Sequence, residues 1–169
     1  LIEARKLYCS ILEAFPSNIR VKKALSKLDE NSSSQEGSNY LDRDPSPKIF
    51  KTLSNQFGTQ KVAAIRSCEN LLRDFNKSPK LWNMFGIFLS QNGELERGES
   101  AFRKGIDLNS ESAAIYNNLG NNLKDQRKLN EAIFYYKKAL EINPIYSEAL
   151  NNLGTALVES GLSREAIKY

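Results

Sequence analysis

Histidine is absent from the chain, which excludes a histidine-ligated metal centre and a serine–histidine–aspartate relay. Cysteine is scarce. Cys9 and Cys68 stand far apart, form no CxxC pair, and fall on apolar stripes of predicted helices, where a thiol serves as a small hydrophobe. No apolar run approaches the ~20 residues that a membrane span requires. Neither sign of charge dominates, with 24 basic against 20 acidic residues and a net charge of +4. The basic excess gathers between Pro45 and Ser78 and makes no continuous basic stripe, so nucleic acid is not expected as a partner. A glycine-rich phosphate loop, a GxSxG turn and a carboxylate pair placed for acid–base work are missing as well. No catalytic residue, metal ligand or cofactor is therefore expected.

What the chain does contain is a period. The stretch from Ala113 to Tyr146 reads AAIYNNLGNNLKDQRKLNEAIFYYKKALEINPIY, and SEALNNLGTALVESGLSREAIKY begins it again. Tyr116, Leu119, Gly120, Leu123, Ala132 and Ile133 are answered thirty-four residues later by Leu150, Leu153, Gly154, Leu157, Ala166 and Ile167. Apolar residues in each half fall at helical spacing, and a polar turn from Gln126 to Asn130 parts the halves. Each unit thus predicts two antiparallel helices. Gly120, Gly154, Ala132 and Ala166 are small where a neighbouring helix must approach, with Tyr116 and Tyr136 as bulky counterparts. Pro144 ends a second helix and starts the crossing to the next unit. A lone helix pair cannot hide its apolar face, so the units must stack.

In chain order, the sequence opens in mid-repeat: Ala4, Tyr8, Ile11 and Pro16 stand as Ala132, Tyr136, Ala139 and Pro144 do. A helix follows from Asn18 to Leu28, its Arg20, Lys22, Lys23 and Lys27 forming a solvated face. Residues 29–44 are rich in Ser, Asn, Asp and Glu and read as a flexible polar linker. Pro45 and Pro47 open a divergent repeat over 45–78, with helices at Lys48–Phe57 and Gln60–Phe75 about a Gly58-Thr59 turn. Full repeats follow at 79–112 and 113–146, and a partial one at 147–169. In the first of these, Trp82, Phe85, Gly86 and Leu89 are in phase with Tyr116, Leu119, Gly120 and Leu123. A start at Leu1 within a repeat, and an end at Tyr169 within a second helix, read as a segment of a longer chain.

The period and the recurring small, large and proline positions resemble the tetratricopeptide repeat family. That resemblance implies an all-α fold, a right-handed α-solenoid of stacked helix-turn-helix repeats with first helices lining a concave groove. It implies a non-catalytic scaffold that binds a protein or peptide partner in that groove. The candidate groove residues it gives are Asn83 and Ile87 in one repeat, Asn117, Asn118, Asn121, Lys124 and Asp125 in the next, and Asn151 and Asn152 in the last. Lys80, Ser90, Gln91, Glu148, Thr155 and Glu159 share the same face. Asn118 and Asn152 match the register of the asparagine ladder in O-GlcNAc transferase, although asparagine precedes the Leu-Gly pair in the family generally. A clamp for a C-terminal carboxylate is absent, because Asn83, Ile87 and Glu148 stand where it requires Lys, Asn and Lys. The order of elements is also similar to bacterial proteins in which repeats precede a sulfotransferase, glycosyltransferase, methyltransferase or oxygenase domain. The alternative is then an accessory, substrate-recruiting region of a larger enzyme. Self-association through exposed terminal repeats is a third expectation, and the expected compartment is cytoplasmic.

Overall fold

A computed structural model of the chain describes residues 44–162 and 166. The partial repeat over 1–28 with Cys9, all but the end of the linker over 29–44, and Ile167 lie outside them. The described residues contain seven α-helices and no strand: α1 (Pro47–Thr59), α2 (Lys61–Asp74), α3 (Pro79–Gln91), α4 (Leu95–Leu108), α5 (Ala113–Asp125), α6 (Leu129–Ile142) and α7 (Ser147–Glu159). None of them is long and apolar enough to cross a membrane. The chain divides into two compact units, Leu1–Leu81 and Trp82–Tyr169.

In the first unit α1 buries Ile49, Leu53 and Phe57, one turn apart, against Ala64, Ile65, Cys68, Leu71 and Leu72 of α2. Pro47 sits in the first turn of α1, where no intrahelical donor is needed. Gly58 and Thr59, expected as the turn, are instead the end of α1. The Gln60 amide closes on the Gln56 carbonyl at 2.7 Å, so the helical ladder runs straight through Gly58. Gln60 alone then breaks the path, at φ −142°. Cys68 is fully buried, and burial, with the Glu69 charge beside it, pushes its thiol up to about 12. Ser78 caps the start of α3: its hydroxyl accepts from the Leu81 amide at 3.0 Å and donates to Asp44 at 2.6 Å. Asp44 also pairs with Lys80 at 2.9 Å.

The second unit holds one core that passes from repeat to repeat. Phe102 of α4, Ile115, Leu119 and Leu123 of α5, Ala132, Ile133 and Tyr136 of α6, and Leu153, Ala156 and Leu157 of α7 form a single buried cluster. Ala166 packs at its edge. The pairing of small with large is direct. A Cβ on Gly86 would lie 2.7 Å from the Phe102 ring, and one on Gly120 would lie 2.5 Å from the Tyr136 ring. Gly154 differs, because a Cβ there meets nothing within 4 Å. Tyr116 also departs from expectation: it stacks on Tyr135 at 6.2 Å rather than filling a glycine gap.

The turns inside the three repeats share one geometry. Gly93, Arg127 and Gly161 occupy the left-handed region, at φ 87°, 65° and 80°. In each, the next amide reaches back five residues: Glu94 to Leu89, Lys128 to Leu123 and Leu162 to Leu157, at 2.8 to 2.9 Å. Leu129 and Asn130 are therefore already in α6, and the turn is shorter than the sequence suggests. Helices α4 to α7 start without a side-chain cap bond, so their stability rests on the packed face rather than on their ends.

Candidate functional site

The first helices of the second unit (α3 from Trp82, α5 and α7) carry the candidate asparagines, and these are joined in a repeating pattern. The Asn118 amide nitrogen donates to Asn83 Oδ1 at 2.9 Å, and that of Asn152 donates to Asn117 Oδ1 at 3.0 Å. The same step along the repeat links each pair, so one amide of every helix is tied to the next. Asn121 Oδ1 accepts from the Tyr136 hydroxyl at 2.8 Å. Burial first, then the charges of Asp125 and Glu159, push the ionisation of Tyr136 upward, so the hydroxyl stays a donor.

Exposure sorts these residues further. Asn83, Ile87, Asn118, Asn121, Lys124 and Asn152 are half-buried, and Asp125 and Asn151 are exposed. Asn117 is only 1% exposed, which corrects its expected place in the groove. Besides accepting from Asn152 it hydrogen-bonds the Tyr146 hydroxyl, which donates to Glu148 at 3.0 Å. An amide so enclosed is a strut, since leaving it unpaired would cost its full desolvation. Ser90 is likewise turned away from a ligand: it donates to the Gly86 carbonyl and accepts from Asn122.

Asn122 leads to a network that sequence reasoning missed. At 1% exposure it donates to Ser90 Oγ at 2.7 Å and to the Leu95 carbonyl at 3.0 Å, and accepts from Gln126 at 2.7 Å. Gln126 passes the chain on to Glu99, whose carboxylate also binds Lys128 and Arg103. Arg103 in turn donates to the Tyr135 hydroxyl. Burial alone would raise the Glu99 carboxyl, but the bonds from Arg103, Gln126 and Lys128 outweigh it and hold it at about 2. Gly98 is where this network needs room, because a Cβ there would lie 2.6 Å from Ser90 Oγ. The one signal in the sequence was a polar Asn122 and Gln126 on the stripe of Leu119 and Leu123. Among the described residues no group of His, Cys, Asp and Glu could hold a metal ion.

No curated protein matches the chain at the level of sequence. Among solved structures, the crystal structure of MamA protein superposes with a TM-score of 0.67 at 24% identity, covering 100% of this chain and 89% of that one. The first tetratricopeptide domain of Spaghetti (RPAP3), bound to an HSP90 peptide, gives 0.62 at 20% identity, over 66% of this chain and 89% of that one. The O-GlcNAc transferase of Thermobaculum terrenum gives 0.58 at 24% identity, over 63% of this chain and 22% of that one. Family models described as tetratricopeptide repeat match residues 79–112, 113–146 and 135–168. Together they take in more than half of the sequence, and the chain belongs to the tetratricopeptide repeat family.

Proposed function

We propose that the chain is a non-catalytic scaffold whose first-helix face binds an extended peptide or protein segment. The observation that carries this reading is the polarity of that face. Where α5 and α7 turn Leu119, Leu123, Leu153 and Leu157 into the core, their other side offers Asn118, Asn121, Asn151 and Asn152. An amide side chain presents two N–H donors and a carbonyl acceptor, so a row of them matches a peptide backbone without demanding one sequence. The internal bonds hold Asn118 and Asn152 in place while each keeps an N–H and its oxygen for a ligand. Such fixing lowers the entropy lost on binding. The RPAP3 domain with its HSP90 peptide supports the reading by example of fold.

The test is capture of ten-residue peptides from a randomised array by the full chain and by Asn118→Ala and Asn151→Ala variants. Capture should weaken about fivefold or more per lost contact, with helicity unchanged by circular dichroism. Undiminished capture would refute the groove reading. A second reading, an accessory region of a larger enzyme, has support from the transferase, of which the matching region is 22%. Sequencing the parent gene past Tyr169 decides it, since further repeats up to the stop codon would remove the enzyme.

A further inference from the structure

Ala101 and Tyr135 stand at the same place in α4 and α6, thirty-four positions apart, and so do Ser100 and Phe134. In the later repeat aromatic rings fill this place. Tyr135 stacks on Tyr116 with 6.2 Å between centroids and 22° between planes, and Phe134 meets Tyr135 edge-on at 5.2 Å. Cations attend both rings: Arg103 lies 5.7 Å from the Tyr135 centroid, and Lys138 lies 5.8 Å from that of Phe134. The earlier repeat keeps the stacking platform, with Trp82 where Tyr116 stands, but carries small side chains in place of both rings. Ser100 turns its hydroxyl back to the Glu96 carbonyl at 3.0 Å and leaves the gap unfilled.

What remains is an open cavity of about 410 Å³ lined by α3 and α4, with Trp82, Phe85, Leu89 and Ala101 as its apolar wall. That volume lies in the range of about 300–1,000 Å³ typical of ligand sites. Trp82 is half-buried and meets Phe85 edge-on at 6.2 Å. Two cations, Arg97 and Lys104, face one carboxylate, Glu96, among the lining residues. Arg97 is paired with Glu94, whereas Lys104, the counterpart of Lys138, makes no ion pair among the described residues. None of the groove asparagines lines this cavity, so it is a second surface of the unit.

We propose that the cavity receives the aromatic side chain of a partner protein segment, stacked on Trp82 as Tyr135 is stacked on Tyr116. The neighbouring repeat supplies the mould, and two forces favour a ring over an aliphatic chain. A ring offers a face to the Trp82 indole, and its negative quadrupole attracts the Lys104 ammonium as Phe134 attracts Lys138. The occupant belongs to another protein, because the exposed ring of this chain among the described residues, Phe134, is already flanked by Tyr135 and Lys138. The proposal does not rest on the groove reading.

The experiment exposes the full chain and its Ala101→Tyr variant, which restores the ring of the later repeat, to the ten-residue randomised array. The full chain should capture a pool enriched in Phe, Tyr and Trp that Ala101→Tyr loses and that Asn118→Ala keeps. Titrating a captured peptide should change the emission of Trp82, the single tryptophan of the chain, in a saturable way. Its counterpart with leucine in place of the ring should bind at least about fivefold more weakly. Lys104→Gln, an exposed change that needs no repacking, should weaken the aromatic peptide about two- to fivefold and spare the leucine counterpart. This variant decides the matter should Ala101→Tyr fail to fold. A pool without aromatic enrichment, equal binding of the two peptides, or a preference indifferent to Ala101→Tyr and Lys104→Gln overturns the proposal. Loss of the aromatic peptides in Asn118→Ala would place the ring in the groove and overturn it as well. A concentration-dependent dimer that Ala101→Tyr abolishes, seen by light scattering, would put a second copy in the cavity and overturn the assignment to another protein.

Discussion

At the scale of single residues, one motif position has opposite consequences in two repeats. Gly120 and Gly154 follow the same Asn-Asn-Leu and occupy the same place in α5 and α7. The Cβ of Gly120→Ala would collide with a fully buried Tyr136 ring that has no space to retreat into, so overpacking should cost about 1–3 kcal/mol. The Cβ of Gly154→Ala meets open space, and removing a mid-helix glycine should stabilise by about 1 kcal/mol. Urea midpoints of the two variants should move in opposite directions; a shared direction would contradict the packing described. Arg127 offers a second case. It holds a left-handed conformation that Gly93 and Gly161 hold in the neighbouring repeats, at a cost of about 1 kcal/mol for a residue with a Cβ. Arg127→Gly should raise the thermal midpoint by about 2–4 °C, less whatever the freer unfolded chain takes back. The thiol of Cys68, buried and held near 12, should stay inert to an alkylating reagent at pH 8 and react fully in urea.

At the scale of elements, α4 and α5 are joined by polar contacts as well as by oil. Glu99 gathers Arg103 from its own helix and Gln126 and Lys128 from the turn after α5, while Asn122 reaches back to Ser90 and Leu95. The carboxyl is held at about 2, below its ordinary 4.5, so folding is favoured by its ionised form. Its contribution is complete above about pH 4.5 and is lost as pH falls through about 2. Glu99→Gln should therefore lower stability by about 1–3 kcal/mol at pH 7, and the gap from the parent chain should close as pH falls toward 2. Urea titrations of both proteins across that window measure it, and a gap independent of pH would remove the charge from the account. Asn122→Leu should be as costly, since Gln126 and the Leu95 carbonyl would each lose a buried partner.

At the scale of the molecule, the all-helical architecture was legible because its cause is periodic. Leu119, Leu123, Leu153 and Leu157 recur at helical spacing, and small residues recur opposite Phe102 and Tyr136, so the stripe and its fit were both written in the order of residues. The polar side was less legible. Adjacent asparagines stand about 100° apart around a helix, and the pair Asn117-Asn118 does not announce which of them meets Tyr146 and Asn152 under the surface. Asn122 was hidden for the converse reason, as a polar residue on a core-facing stripe whose partners Ser90 and Leu95 come from another repeat. What the stacking does fix is how the second unit unfolds. Its core has no boundary at the repeat junctions: Leu119 of α5 shares one cluster with Phe102 of α4, Tyr136 of α6 and Leu153 of α7. A cavity at Leu119 is thus felt by helices on both sides. Leu119→Ala should cost about 2–5 kcal/mol, and native-state hydrogen exchange should show protection falling together in α4, α5, α6 and α7. Were the repeats independent, only α5 and α6 would lose protection, and the claim that neighbours supply one another's core would fail for this unit. A substitution on the exposed side of α4, Lys104→Ala, serves as the control and should leave all four helices protected as before.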